Sequence, residues 1–168
     1  MLVDNGKTGK SGYINIKGIY VIQPRFQQAF SFVNGFATVI EKNKWGCIDK
    51  KGNYVIKPIY EIVGHFSEGL CNAKLQGNKY FFFDEYGISK INLDAEPNLY
   101  DFVSSFREGL AIVGKNGFYG YINTNGKIVI PLIYEDAHEF LNGIAEVQKE
   151  GKIFYINKNG ECVIFCPN

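Results

Sequence analysis

The sequence predicts an all-β domain of about five tandem three-stranded antiparallel β-meander repeats, stacked as an open curved array. Three observations lead there. Glycines recur at Gly18, Gly52, Gly87, Gly126 and Gly160, at spacings of 34, 35, 39 and 34. A phenylalanine ladder runs in register with them: Phe32, Phe66, Phe106 and Phe140, each followed three residues later by Gly35, Gly69, Gly109 or Gly143. Six residues before each rung stands Phe26, Tyr60, Tyr100 or Tyr134. A period of this length is the mark of a repeat architecture, in which no unit buries its apolar surface alone. The repeats run approximately over 1–31, 32–65, 66–105, 106–139 and 140–168, forming one domain over 1–168. A closed propeller-like ring is the alternative. The run ECVIFC reads as a third strand and no copy is split between the two ends, which favours the open stack.

Each unit reads as three short strands. In the fourth they are Leu110–Val113, Phe118–Asn123 and Lys127–Pro131, joined by GKNG and NTNG. Loops this short connect antiparallel neighbours. The turn after the second strand reads NIKG, DKKG, DEYG, NTNG and NKNG in the five copies. Asp or Asn first and Gly fourth suits a type I turn closed by a residue at positive φ. Asp49, Asn123 and Asn157 are therefore read as turn-closing side chains. The segment after each third strand places Tyr60, Val63 and Phe66 three residues apart, a spacing that predicts a single helical or 3₁₀ turn as connector. Second strands are apolar on both faces, with Trp45 and Cys47 on one and Ile48 on the other, so both faces are covered by neighbouring copies. Gly46 and Gly120 lie inside second strands, where glycine implies close approach of a neighbour; Phe81 and Phe154 replace it, so packing differs in those copies.

The phrase KWGCIDKKGNYVIKP, followed by a Tyr and then F-x-x-G, resembles the bacterial WG-repeat family, also called KWG repeats. The Trp-Gly pair stands at Trp45–Gly46 and is replaced by Ser11–Gly12, Tyr80–Phe81, Tyr119–Gly120 and Ile153–Phe154. The resemblance implies a β-rich interaction module and brings no catalytic residues with it.

Other functions find little support. No nucleophile elbow, phosphate-binding loop, HExxH motif or dinucleotide fingerprint is present, so no enzymatic activity and no cofactor is expected. Cys47, Cys71, Cys162 and Cys166 form no CxxC pair, so no metal site is expected and they read as small buried residues of a reducing compartment, with a disulfide open to an exported protein. No apolar run approaches the ~20 residues of a membrane span, and MLVDNGKTGKSG lacks a signal-like core, so the expected location is cytoplasmic.

Net charge is +1, but residues 1–60 carry +6, residues 61–108 −4 and residues 109–168 −1. The leading expectation is a stand-alone adaptor or inhibitor that binds a partner protein. A nucleic-acid or nucleoprotein binder acting through the basic N-terminal third is the first alternative, and a carbohydrate binder the second. Candidate contact residues are Trp45 with Lys42, Lys44, Lys50 and Lys51. Further candidates lie where the repeat pattern breaks, at Gln76, Asn78 and Lys79 and at Asn92, Asp94, Glu96 and Asn98. The polar Ser11 caps the first copy, whereas the FCPN end predicts a monomer or weak self-association through that end.

Overall fold

The structure is a computed structural model that describes residues 1–93 and 100–167. It holds five small antiparallel sheets, none of them closed. The first has three strands, β1 (Leu2–Asn5), β2 (Lys10–Ile14) and β3 (Tyr20–Phe26). The second has four, β4 (Gln28–Ala29), β5 (Phe36–Glu41), β6 (Lys44–Asp49) and β7 (Tyr54–Tyr60). The third comprises β8 (Ile62–Val63), β9 (Leu70–Leu75), β10 (Lys79–Asp84) and β11 (Ser89–Asn92). The fourth comprises β12 (Phe102–Val103), β13 (Leu110–Lys115), β14 (Phe118–Asn123) and β15 (Ile128–Tyr134). The fifth comprises β16 (Asp136–Ala137), β17 (Ile144–Lys149), β18 (Lys152–Asn157) and β19 (Cys162–Ile164). Strands in every sheet lie in sequence order, as in a meander.

The connectors depart from expectation. Where the period of three predicts a helical turn, each of sheets two to five opens with a two-residue strand, such as Ile62–Val63 pairing with Lys74 and Ala73. A bend at Glu61 separates Tyr60 from this strand. The bend resets the in–out alternation, so Tyr60, Val63 and Phe66 all end up buried without a helix.

The turns form as their residues dictate. Asp49 Oδ1 accepts the N–H groups of Lys51 and Asn53, both at 2.8 Å, and Gly52 takes φ 86°. At the other end of the sheet Lys42 and Asn43 both have positive φ, 51° and 59°, as a two-residue hairpin turn requires.

Gly46 is explained by a bulge. Trp45 pairs with Tyr60 and Cys47 with Ile56, so β7 carries extra residues opposite Gly46. A Cβ on Gly46 would lie 2.7 Å from the Ile56 carbonyl oxygen and 2.9 Å from the Pro58 nitrogen. Gly12 with Pro24 and Gly120 with Pro131 repeat the arrangement. In the third sheet Phe81 and Phe82 pair in unbroken register with Asn92 and Ile91, and the side chain at Phe81 has room.

Four apolar clusters fill the four junctions between successive sheets. The first joins Tyr13, Ile22 and Phe26 to Ala37, Val39 and Ile48. The second joins Cys47, Ile56 and Tyr60 to Val63, Phe66 and Cys71. The third sets Tyr80, Phe82 and Ile91 against Phe106, Val113 and Ile122, and the fourth sets Tyr121 and Ile130 against Phe140, Val147 and Ile156. Each fully buried aromatic contributes about 1.5–3 kcal/mol, so the stack is held by its junctions rather than by single sheets.

A candidate recognition face at the end of the stack

Polar side chains lock each junction at recurring positions. Asn34 Nδ2 donates to the Phe66 carbonyl, Glu68 accepts the Gly109 N–H, and Glu108 accepts the N–H groups of Asn142 and Gly143. These three residues share one repeat position and all have φ between 51° and 53°. Lys158 Nζ lies 3.1 Å from Glu108. Its hydrogen bond, with those of the two backbone amides, holds the Glu108 carboxyl below the usual range. Four residues further along the chain, Thr38 donates to the Gly64 carbonyl at 3.1 Å and Asn72 to the Val103 carbonyl at 3.0 Å.

The fifth sheet presents the same positions without a following sheet among the described residues. Asn142 stands at the Asn34, Glu68 and Glu108 position, Ile144 at that of Phe36, and Glu146 at that of Thr38 and Asn72. Together with His138, Glu139, Leu141 and Tyr155 they line a cavity of about 350 Å³. Leu141 is 57 % exposed and Ile153 56 %. Glu146 Oε2 accepts the Tyr155 hydroxyl at 2.6 Å. That bond, with the nearby carboxylate charge, pushes the Tyr155 phenol up. The face therefore combines the apolar Leu141 and Ile144 with the carboxylates Glu139 and Glu146. It has the composition of a recognition surface, with an aromatic anchor beside a charged group.

The residues singled out from sequence are distributed differently. Lys42, Lys44, Gln76, Asn78 and Lys79 fall on the edge of their sheets that carries the hairpin turns between β5 and β6 and between β9 and β10. Asn92 pairs with Phe81 toward that same edge. Lys50 and Lys51 lie in the β6–β7 turn, at the opposite edge, so the topology does not gather the lysines into one patch. Asn78 is tied down: it has φ 58° and its Nδ2 donates to Asp101 Oδ1 at 3.2 Å. Trp45 is half-buried, and one ring face stacks on Phe30 at 5.4 Å and 16°. Asp94, Glu96 and Asn98 lie outside the described residues.

Sequence reasoning did not single out Glu146, Ile144 or Tyr155. The signal lies in the repeat register, where Glu146 alone is a carboxylate among Thr38, Asn72 and Ile112.

The cysteines divide. Cys47 and Cys71 are buried thiols, as read from sequence. Burial pushes the Cys47 thiol up to about 12 and moves Cys71 in the same direction. Cys162 and Cys166 instead form a disulfide. Cys162, in β19, is half-buried and Cys166 is exposed. Among the described residues no group of three or more His, Cys, Asp or Glu is placed to hold a metal ion, and no helix is long and apolar enough to cross a membrane.

Tandem small antiparallel sheets with a Gly–Pro bulge and a D/N-x-x-G turn define an all-β tandem-repeat protein. The family model described as "WG containing repeat" matches residues 12–45, 45–80, 96–117 and 119–152, and the chain belongs to that family. No curated protein matches the sequence. Among solved structures, the computationally designed Ika8 protein is similar with a TM-score of 0.56 at 11 % identity, over 96 % of this chain and 59 % of that one. The computationally designed Ika4 protein gives 0.51 at 9 %, over 75 % of this chain and 87 % of that one. BamB from Moraxella catarrhalis gives 0.52 at 12 %, over 96 % and 56 %. The chain thus spans less than two thirds of Ika8 and of BamB. At these identities the likeness is one of fold.

Proposed function

We propose that the protein is a non-enzymatic interaction module that binds a partner protein, serving as an adaptor or inhibitor. The observation that carries this reading is the end face of the fifth sheet. Residue positions that grip a neighbour at the second, third and fourth junctions there surround a cavity of about 350 Å³. Leu141, which is exposed, and Ile144 line it with Tyr155 and Glu146, and such a mixed face suits a protein surface better than a phosphate backbone. The separation of Lys42 and Lys44 from Lys50 and Lys51 by the length of a strand weighs against a nucleic-acid track. We place the protein in the cytoplasm; the Cys162–Cys166 disulfide is the observation that counts against this location, since such bonds persist in oxidising compartments.

The test is capture of partners at low and high salt, with and without nuclease, by the wild-type protein and by a Leu141→Lys, Ile144→Lys variant. A partner that survives salt and nuclease and is lost with the variant supports the reading. A partner lost with nuclease, or steeply with salt, refutes it in favour of nucleic acid.

A further inference from the structure

Each internal junction shows what such a face accepts. An incoming connector brings a phenylalanine whose ring centroid lies 4.7 Å from Tyr13 (Phe32), 4.2 Å from Phe36 (Phe66), 4.7 Å from Phe82 (Phe106) or 5.0 Å from Tyr121 (Phe140). At three junctions the carbonyl two residues before that phenylalanine accepts a hydrogen bond from the receiving sheet. Tyr13 donates to Phe30 at 2.7 Å, Thr38 to Gly64 at 3.1 Å, and Tyr121 to His138 at 2.8 Å. Tyr155 holds the register position of Tyr13, Phe82 and Tyr121, and it lines the open cavity.

One substitution changes what this face takes. Where Thr38 and Asn72 donate to a connector carbonyl, Glu146 carries a carboxylate, which only accepts. It also draws the Tyr155 hydroxyl toward itself. A bare connector carbonyl is therefore poorly matched here, and a cationic donor is well matched. A second carboxylate, Glu139, also lines the cavity, with its Oε2 3.4 Å from the Arg107 guanidinium. A second copy of this chain does not supply the missing piece. Its connector phenylalanines Phe66, Phe106 and Phe140 are buried in its own junctions, and Phe165, although 77 % exposed, already lies against Tyr155 of its own sheet with ring centroids 6.2 Å apart.

Building on the interaction reading above, we propose that the cavity receives a segment of a partner protein that lays a phenylalanine on Tyr155 and pairs an adjacent lysine or arginine with Glu146. The occupant docks as a fifth connector would, with the polarity of one contact reversed.

The probe is a capped heptapeptide of sequence VSSFREG, which is the Val103–Gly109 connector with Phe106 followed by Arg107. It is titrated into the ¹⁵N-labelled full chain and followed by amide chemical shifts. Shifts confined to residues 141–146 and around Tyr155 are expected. Affinity should fall about fivefold or more for VSSAREG, for VSSFEEG, and for the Glu146→Gln protein, since each removes a ring contact or a charge-assisted hydrogen bond. No shifts on this face at millimolar peptide, or equal binding of VSSFEEG, overturns the proposal. So does a concentration-dependent dimer in sedimentation that Leu141→Lys abolishes, which would make a second copy the occupant. If partner capture succeeds through this face while VSSFREG leaves it unmoved, the interaction reading stands and the phenylalanine–cation occupant falls.

Discussion

Replacing Gly46 with alanine isolates the device that shapes three of the five sheets. Gly46 does not have positive φ, so the backbone tolerates alanine and only space is at issue. The added Cβ would sit 2.7 Å from the Ile56 carbonyl oxygen and 3.0 Å from Pro58 Cα, both backbone atoms of the bulged strand. Neither swings away as a side-chain tip would. Overpacking of this kind costs about 1–3 kcal/mol, against which alanine regains about 0.4–1 kcal/mol from the less flexible unfolded chain. The net loss is about 0–2.6 kcal/mol, or about 0–10 °C in Tm for a domain of this size, and relative to an alanine that meets no clash it is about 1–3 kcal/mol. The control is Gly6→Ala, where the Cβ meets nothing within 4 Å and φ is not positive; it should change stability by less than about 0.5 kcal/mol, or raise it slightly. Far-UV circular dichroism melts of the three proteins make the comparison. If Gly46→Ala melts with or above Gly6→Ala, the bulge does not explain the glycine.

Two further outcomes follow from the junctions. Glu108 has a depressed pKa from Lys158 and the amides of Asn142 and Gly143, so its contribution is present above the unfolded carboxylate pKa and is lost as pH falls through the folded value. The Tm difference between wild type and Glu108→Gln should be largest near neutrality and shrink as pH falls below the unfolded pKa of about 4.3 and through the lower folded value; a difference unchanged by acid contradicts the assignment. With the Cys162–Cys166 disulfide reduced, a thiol reagent at pH 8 should label those two cysteines in the native protein and reach Cys47 and Cys71 only after denaturation. Rapid native labelling of all four would refute the buried placement.

The repeat register was legible because every turn and core rung rests on local chemistry. Asp49 and its equivalents close their own turns, and Phe66 and its equivalents recur because each junction needs the same wedge. The consequence of Phe81 for Gly46 was legible in part: the sequence showed that packing had to differ, while the bulge opposite Gly46 needed the pairing register to be seen. The two-residue strands were hidden because a bend followed by a short strand produces the same spacing of three as a helical turn. Glu146 escaped notice because its meaning is relational. It is an ordinary carboxylate until Thr38 and Asn72 are seen donating at the same position in other sheets. The lysine candidates rested on proximity in sequence, and a hairpin sends residues as close as Lys44 and Lys50 to opposite edges of a sheet.

The most direct test places a photo-crosslinking benzoylphenylalanine at Leu141, on the end face, and in a second protein at Tyr86, which is 87 % exposed in a turn of the third sheet. Both are irradiated with the captured partner. Crosslinks from position 141 and none from position 86, abolished by Ile144→Lys, are what the account predicts. Crosslinking from position 86 with none from position 141 would contradict it and move the contact surface away from the end of the stack.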